Sequence, residues 1–365
     1  MGTLIMKIAG ITWHGVDNFG SMLQAYALQK TIEKIGVKHT YISYTKKANV
    51  KYVLYYYYRY LRSMIPWLTE RKDLFSRFHR KNIKATFRLF TQNTIHTTDE
   101  KYDGFICGSD QIWAPNVLDP TYMLDFVTDK TKKIAYAASI GLNDIPQELI
   151  LTYKSNLSSF SAISVREEKG QTLLAEKCSV ESQVVVDPTM LLKTEEWEKL
   201  EKQIHIDSSY VFCYFLSESN DYLSRNDIAD SIGKSKVYGV TTQKKPNPLM
   251  INITEQVGPA EFLWLVDHAE RVITDSFHGA VFSVIFNKKF TLCSRFDPKD
   301  PVCQNSRIEQ LCKMLNIEKY RKLGTAFVND ESYYSAINAI VEEKRKEAMG
   351  FLSGAIKRLN GDEEM

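Results

Sequence analysis

Val272-Ile273-Thr274-Asp275-Ser276-Phe277-His278-Gly279-Ala280-Val281 is the stretch from which the fold is read. Its β-branched apolar start predicts a buried strand. A polar turn ends the strand, and the mostly apolar residues 280–286 predict a helix after Gly279. Strand, turn and helix in that order place side chains at the carboxyl end of a parallel strand, where open α/β sheets bind their ligands. His278 is therefore the first candidate for a catalytic group. It is either an acid/base or a hydrogen-bonded structural residue. Asp275 beside it either orients the imidazole or caps the turn.

The same grammar recurs outward from this stretch. Residues 7–13 predict a buried strand. The loop His14-Gly15-Val16-Asp17-Asn18-Phe19-Gly20 follows, and then an apolar helical period from Met22 to Ile35, stopped at Gly36. Residues 37–44 return as a strand. The turn at Asn18, Gly20 and Ser21 opens a helix, so its free amides and the helix dipole favour an anion. Its glycines fit neither the dinucleotide nor the Walker spacing, and the competing reading is that they only form the turn. Residues 102–107 are a strand ending at Gly108-Ser109-Asp110, and residues 162–165 are one ending at Arg166. Strands are also expected at 134–139, 184–189, 210–216, 235–240 and, last, 290–293. Helices are expected at 192–203, 259–267, 306–315 and 332–359. Alternating strands and helices predict a parallel, doubly wound α/β architecture. Two Rossmann-like halves with a cleft between them is the economical arrangement.

Length agrees, since 365 residues exceed one ordinary core. Apolar content of 44% and charged content of 25% describe a globular chain. No apolar run is long enough to span a bilayer. The start lacks a basic n-region and position 6 is Met, so neither a signal peptide nor myristoylation is expected, and the cytoplasm is the expected compartment. The six cysteines include no CxxC pair and are read as buried reduced thiols. His39, His79, His96, His205 and His268 are read as standing without clustered partners, so no metal site is expected.

Segment 46–88 differs from the rest. It carries twelve lysines and arginines against only Glu70 and Asp73, interleaved with the run from Tyr55 to Tyr58, Tyr60, Trp67, Phe75, Phe78 and Phe87. The default reading is solvated amphipathic helices. The functional reading is peripheral contact with an anionic, membrane-linked partner at the inner membrane face. No nucleic-acid partner is expected, because no nucleic-acid fold signature accompanies the charge.

Five pieces in order carry a resemblance. They are Asp17-Asn18-Phe19-Gly20-Ser21 with Leu23-Gln24-Ala25-Tyr26-Ala27-Leu28, Cys107-Gly108-Ser109-Asp110-Gln111-Ile112-Trp113, Ser164-Val165-Arg166-Glu167, Val186-Asp187-Pro188-Thr189, and Thr274-Asp275-Ser276-Phe277-His278-Gly279. Together they resemble the polysaccharide pyruvyl transferase family, and Asn305 and Arg307 fit its C-terminal pattern. The resemblance implies a fold similar to GT-B glycosyltransferases, with two Rossmann-like domains facing a cleft. The expected division is 1–192, 193–330 and a helical tail 331–365 packing back on the first domain. It implies transfer of the enolpyruvyl part of phosphoenolpyruvate, as co-substrate and without a cofactor, to two hydroxyls of a sugar or lipid-linked oligosaccharide. A cyclic ketal forms and phosphate leaves. His278 is implied as acid/base, with Asp275 beside it. Arginines, Arg166 first, are implied to hold the donor, while the residues alone leave Arg166 open as a buried ion-pair partner. Asn18, Gly20, Ser21, Ser109 and Asp110, at the strand ends and the helix start, are expected to line the substrate.

One position departs from the family's pattern. Ser276 stands where members with pyruvyl transfer activity carry arginine, and a hydroxyl cannot give the bidentate charged clamp of a guanidinium. Either Arg307 or Arg295 replaces it, or the donor differs. The alternatives left open are a GT-B-type glycosyltransferase using a nucleotide sugar and a non-catalytic scaffold protein of a glycan-assembly complex.

Overall fold

The computed structural model describes residues 5–46, 49–206, 209–217, 221–296, 305–317, 321–322, 325–328 and 333–359. The chain forms two compact units. One comprises Met1–Ile65, His79–Leu191 and Glu343–Met365, the other Pro66–Phe78 and Leu192–Glu342. Most of the loop expected before residue 306, including Cys303, lies outside the described residues, as do both chain ends.

In the first unit the order is β1 (Lys7–Ile11), α1 (Phe19–Lys34), β2 (Lys38–Tyr41), β3 (Tyr44–Thr45), α2 (Val50–Arg62), α3 (Arg71–Asn82), β4 (Phe90–Thr91), β5 (Gly104–Cys107), β6 (Lys133–Ala138), α4 (Ile150–Leu157), β7 (Ala162–Val165), α5 (Glu168–Cys178) and β8 (Gln183–Val184). The larger sheet runs β2-β1-β5-β6-β7-β8 and is parallel throughout. Strands buried on both faces read as unbroken apolar runs, which is why 7–11, 104–107 and 133–138 were legible. Ile11 pairs with Cys107, and Cys107 with Ala135. That register brings the polar residues after each strand to one edge. Only Lys38–Tyr41 of the strand expected at 37–44 and the start of that expected at 184–189 join this sheet. Tyr44 and Thr45 instead pair with Phe90 and Thr91 as a separate two-stranded ribbon.

The second unit contains the first residues of α3. It continues with α6 (Thr194–Glu198), β9 (Tyr210–Phe215), α7 (Asn226–Ile232), β10 (Lys236–Thr241), β11 (Ile251–Asn252), α8 (Pro259–Asp267), β12 (Arg271–Thr274), α9 (Phe277–Ile285), β13 (Lys289–Cys293), α10 (Ser306–Met314), β14 (Arg321–Lys322), β15 (Thr325–Val328) and the start of α11 (Tyr334–Leu359). Its sheet order is β11-β10-β9-β12-β13-β15-β14. The expectation that 290–293 is the last strand is corrected: β15 adds antiparallel to β13, and β14 to β15. Such an edge hairpin needs no crossover helix, so it leaves no βαβ signature to read. The helix expected at 192–203 shrinks to five residues, Thr194–Glu198. All nine residues of α9 are buried. The Trp197 ring meets Phe282 edge-on at 5.0 Å, and Phe262 does so at 5.9 Å.

Candidate functional site

The site residues fall in two groups, one on the carboxyl edge of each sheet. In the second unit, Thr274 ends β12, and its Oγ1 donates to the Tyr214 carbonyl at 2.6 Å while accepting from the Ser276 amide at 3.0 Å. Ser276 then adopts extended backbone and caps α9, its hydroxyl accepting from the Gly279 amide at 3.4 Å. This is the role for which serine is suited at a helix start. Gly279 fits closely: a Cβ there would lie 2.3 Å from Thr274 Oγ1. The turn thereby sets His278 in the first turn of α9, only 7% exposed, with its ring edge-on to Phe277 at 5.1 Å.

Asp275 does not spend its oxygens on that imidazole. Oδ1 accepts from the Leu216 amide at 2.7 Å and Oδ2 from the Ser217 amide at 2.8 Å. It fastens the end of β9 to the turn after β12. Burial raises its carboxyl above the ordinary range, while bonds to Ser217 and Leu216 and the charge of Arg295 work the other way. Arg295 follows β13, lies over the Phe296 ring at 4.9 Å and also acts on Tyr214. Asn305 clasps that same backbone, its Nδ2 donating to the Phe296 carbonyl at 2.8 Å. It precedes α10, whose second residue is Arg307. Sequence reasoning missed Tyr214 and Arg71. The buried Tyr214 hydroxyl bonds Ser276 and feels Arg71, Asp275 and Arg295. Arg71 also donates to the Thr254 and Val257 carbonyls at 3.3 and 3.2 Å. Tyr214 lies in a strand buried throughout, an apolar run that gives no sign of a polar tip.

In the first unit four of the quoted pieces converge. Asn18 caps α1, its Oδ1 accepting from the Ser21 amide at 3.1 Å. The Ser21 hydroxyl donates to Asp110 Oδ2, and Gly20 is buried in the same turn. The carboxyl group at the start of α1 is thus the protein's own, met by a hydroxyl. Ser109 donates from its hydroxyl to the Ala137 carbonyl at 2.7 Å and from its amide to Gln24 Oε1 at 3.0 Å. Gly108 precedes it with φ +107°, and a Cβ there would meet the Tyr136 carbonyl oxygen at 2.1 Å. Arg166 donates to Asp187 Oδ2 at 2.7 Å, and Asp187 Oδ1 accepts from the Thr189 amide and hydroxyl at 3.0 and 2.7 Å. Burial opposes the Arg166 charge, but Asp187, Glu167 and Asp110 outweigh it and hold the guanidinium charged. Glu167 in turn accepts from the Ser139 hydroxyl at 2.8 Å and from the amides of Ile140 and Gly141, both at 3.0 Å. Gln24, fully buried in α1, was missed. A glutamine within an apolar helical period was the available signal, and Gln29 of the same helix is buried likewise.

The reading of the histidines is also corrected. His14 Nδ1 and His79 Nε2 share a hydrogen bond at 2.9 Å with rings stacked, and His39 stands edge-on to Tyr41 at 4.5 Å. Burial lowers His14 to about 4, and burial with the His14 charge lowers His39 and His79 to about 3. His268 forms a group with Glu201 and Asp267, with one ligand atom from each within 4.8 Å, the arrangement a divalent cation could use. Its Nδ1 faces the Trp264 carbonyl at 3.0 Å, and Lys288 already pairs with Asp267 at 3.4 Å.

Two Rossmann-like units, each with polar side chains on the carboxyl edge of a largely parallel sheet, define the fold class: α/β, similar to GT-B glycosyltransferases. A glycosyltransferase from Rickettsia africae is similar over 96% of this chain and 99% of its own, with 10% identity and TM-score 0.50. HepE from Anabaena, in complex with UDP and glucose, covers 96% and 99% with 9% identity and TM-score 0.49. A UDP-GlcNAc 2-epimerase from Neisseria meningitidis covers 93% and 98% with 13% identity and TM-score 0.44. At such identities the likeness bears on fold alone. No curated protein matches the chain. The sequence pattern of the polysaccharide pyruvyl transferases matches residues 18–298, and the chain belongs to that family. It is a polysaccharide-modifying transferase.

Proposed function

We propose that the protein transfers the pyruvyl part of phosphoenolpyruvate to two hydroxyls of a sugar, in a cell-surface polysaccharide or its lipid-linked precursor, as a cyclic ketal. The observation that carries this reading is His278 in the first turn of α9, fixed by the Thr274–Ser276–Gly279 turn in a chain of this family. His278 delivers a proton to the methylene carbon of the donor, leaving positive charge at the carbon that bears phosphate. One sugar hydroxyl adds there and loses its proton. The second hydroxyl displaces phosphate and closes the ketal. Imidazole gives and takes protons near neutral pH, as both steps require.

The donor's phosphate and carboxylate need cations. Ser276 supplies none, and Arg295 and Arg307 take that place in the second unit. Arg166, already balanced by Asp187, Glu167 and Asp110, takes a positioning role: it ties the loop after β7 to the loop after β8. Asn18, Gly20, Ser21, Ser109 and Asp110 contribute to the substrate surface of the first unit.

Incubation with phosphoenolpyruvate and a panel of sugar acceptors should release phosphate and add a pyruvate ketal, seen by mass spectrometry. His278→Gln should lower that turnover about 10²- to 10⁴-fold, the usual contribution of a general acid/base. Turnover of a nucleotide sugar, with none of phosphoenolpyruvate, would assign glycosyl transfer instead.

A further inference from the structure

Helix α2 reverses the usual polarity of a surface helix. Its inner side is fastened to the first unit by polar tips and rings. The Tyr56 hydroxyl donates to Ser43 Oγ at 3.1 Å. Tyr57 and Tyr60 pack their rings against Phe87 at 5.3 and 5.1 Å. Arg59 grips Asp17 through two hydrogen bonds of 2.9 and 2.7 Å. With that side held, the stripe Val50, Leu54, Tyr58 and Leu61 faces outward, at 72%, 64%, 48% and 61% exposure. The spacing of four, four and three residues makes it one continuous helical row. Met64, beyond the helix end, is exposed as well. A surface helix ordinarily turns charge outward and apolar groups inward; here no residue of α2 is buried and the outward row is apolar.

Cations border the row. Lys51 is exposed, and Arg62 lies over the Tyr58 ring at 5.6 Å while donating to its hydroxyl at 3.0 Å. Residues 46–65 hold five lysines and arginines and no acid. An apolar row with tyrosine beside it and cations on its flanks fits the boundary between headgroups and acyl chains of an anionic bilayer. A second copy of the same surface would bring like charges face to face. A nucleic acid would find aliphatic Val50, Leu54 and Leu61 where bases need rings to stack on. At 13 residues the helix is about 20 Å long, suited to lying in a membrane plane. Among the described residues no helix is long and apolar enough to cross one.

We propose that α2 docks the protein onto an anionic lipid surface, with Val50, Leu54, Tyr58 and Leu61 in the headgroup layer and Lys51 and Arg62 on lipid phosphates. The inference is independent of the reaction, because it concerns binding alone. The test is sedimentation of the full chain with phosphatidylcholine vesicles, with and without phosphatidylglycerol. The wild type should pellet with the anionic vesicles, release with added salt, and stay in solution with the neutral ones. Lys51→Gln and Arg62→Gln should each weaken binding about fivefold. The double variant Leu54→Asp with Leu61→Asp should bind at least about tenfold more weakly, with unchanged circular dichroism and melting temperature, since both side chains point into solvent. Failure of the wild type to pellet with anionic vesicles overturns the proposal. So does equal pelleting of the Asp variant, or a wild-type dimer in solution that the Asp variant splits.

Discussion

At the scale of single residues, the buried histidines make a definite statement about acid. His14, His39 and His79 are neutral in the folded protein, with values near 4, 3 and 3. In the unfolded chain they titrate near 6.5, so between about pH 6.5 and 3 the unfolded state binds more protons. Stability is therefore complete above that window and falls as pH drops through it, by up to roughly 3 kcal/mol for His14 and roughly 5 kcal/mol for His39 or His79 taken singly. His39 separates this effect from that of carboxylates, because among the described residues neither of its ring nitrogens has a hydrogen-bond partner. His39→Leu should keep neutral-pH stability within about 1.5 kcal/mol. It should also flatten the dependence by up to one proton, about 1.4 kcal/mol per pH unit. Urea midpoints of both proteins from pH 7.5 to 4 measure this, and parallel curves would refute it. None of it was legible in the sequence. The three histidines are 25, 40 and 65 positions apart, and only the pairing of β1 with β2 and the return of α3 bring them together.

At the scale of elements, the strand–turn–helix pieces were legible because each combines an apolar run with a polar stop. What each stop contacts was not, because a partner lies on a neighbouring strand. Arg166 was read as a donor-binding group or a buried ion-pair partner, and the structure joins it to Asp187, 21 positions on. The pair fixes the turn after β7 against the loop after β8. Arg166→Met or Asp187→Leu alone should cost about 3 to 5 kcal/mol, because each leaves the other charge buried. The double variant should cost clearly less than the sum. Chemical denaturation of the four proteins completes the cycle, and additive losses would show that the ion pair is not the coupling. Helix α2 gives the converse lesson. Its aromatic and basic composition was visible, but only the bonds of its inner side show which residues turn outward.

At the scale of the molecule, residues 343–365 are part of the first unit although they come last in the chain. Phe351 lies 6.4 Å from the Tyr136 ring, and Leu359 Cδ1 fills the space where a Cβ on Gly104 would stand. Ala348, Leu352, Ala355 and Ile356 are buried along the same helix. Removal of 343–365 should therefore uncover the apolar side of β5 and β6 and give an aggregating chain that binds a hydrophobic dye. A soluble deletion protein with unchanged melting temperature would contradict this. The helical tail itself was plain from its apolar period, whereas the edge hairpin of β14 and β15 was not, for want of a crossover.

The order in which the units are threaded bears on how such a protein can change. The chain passes from one unit to the other at 65/66, 78/79, 191/192 and 342/343. Neither unit is thus a single cassette of coding sequence. A crossover in mid-gene would give a hybrid whose first unit mixes two parents, its α11 segment coming from one and its sheet from the other. New donor or acceptor preference is then reached more readily by substitution at the strand-end loops than by exchange of halves. An engineer grafting one unit onto a relative would have to respect all four joins at once.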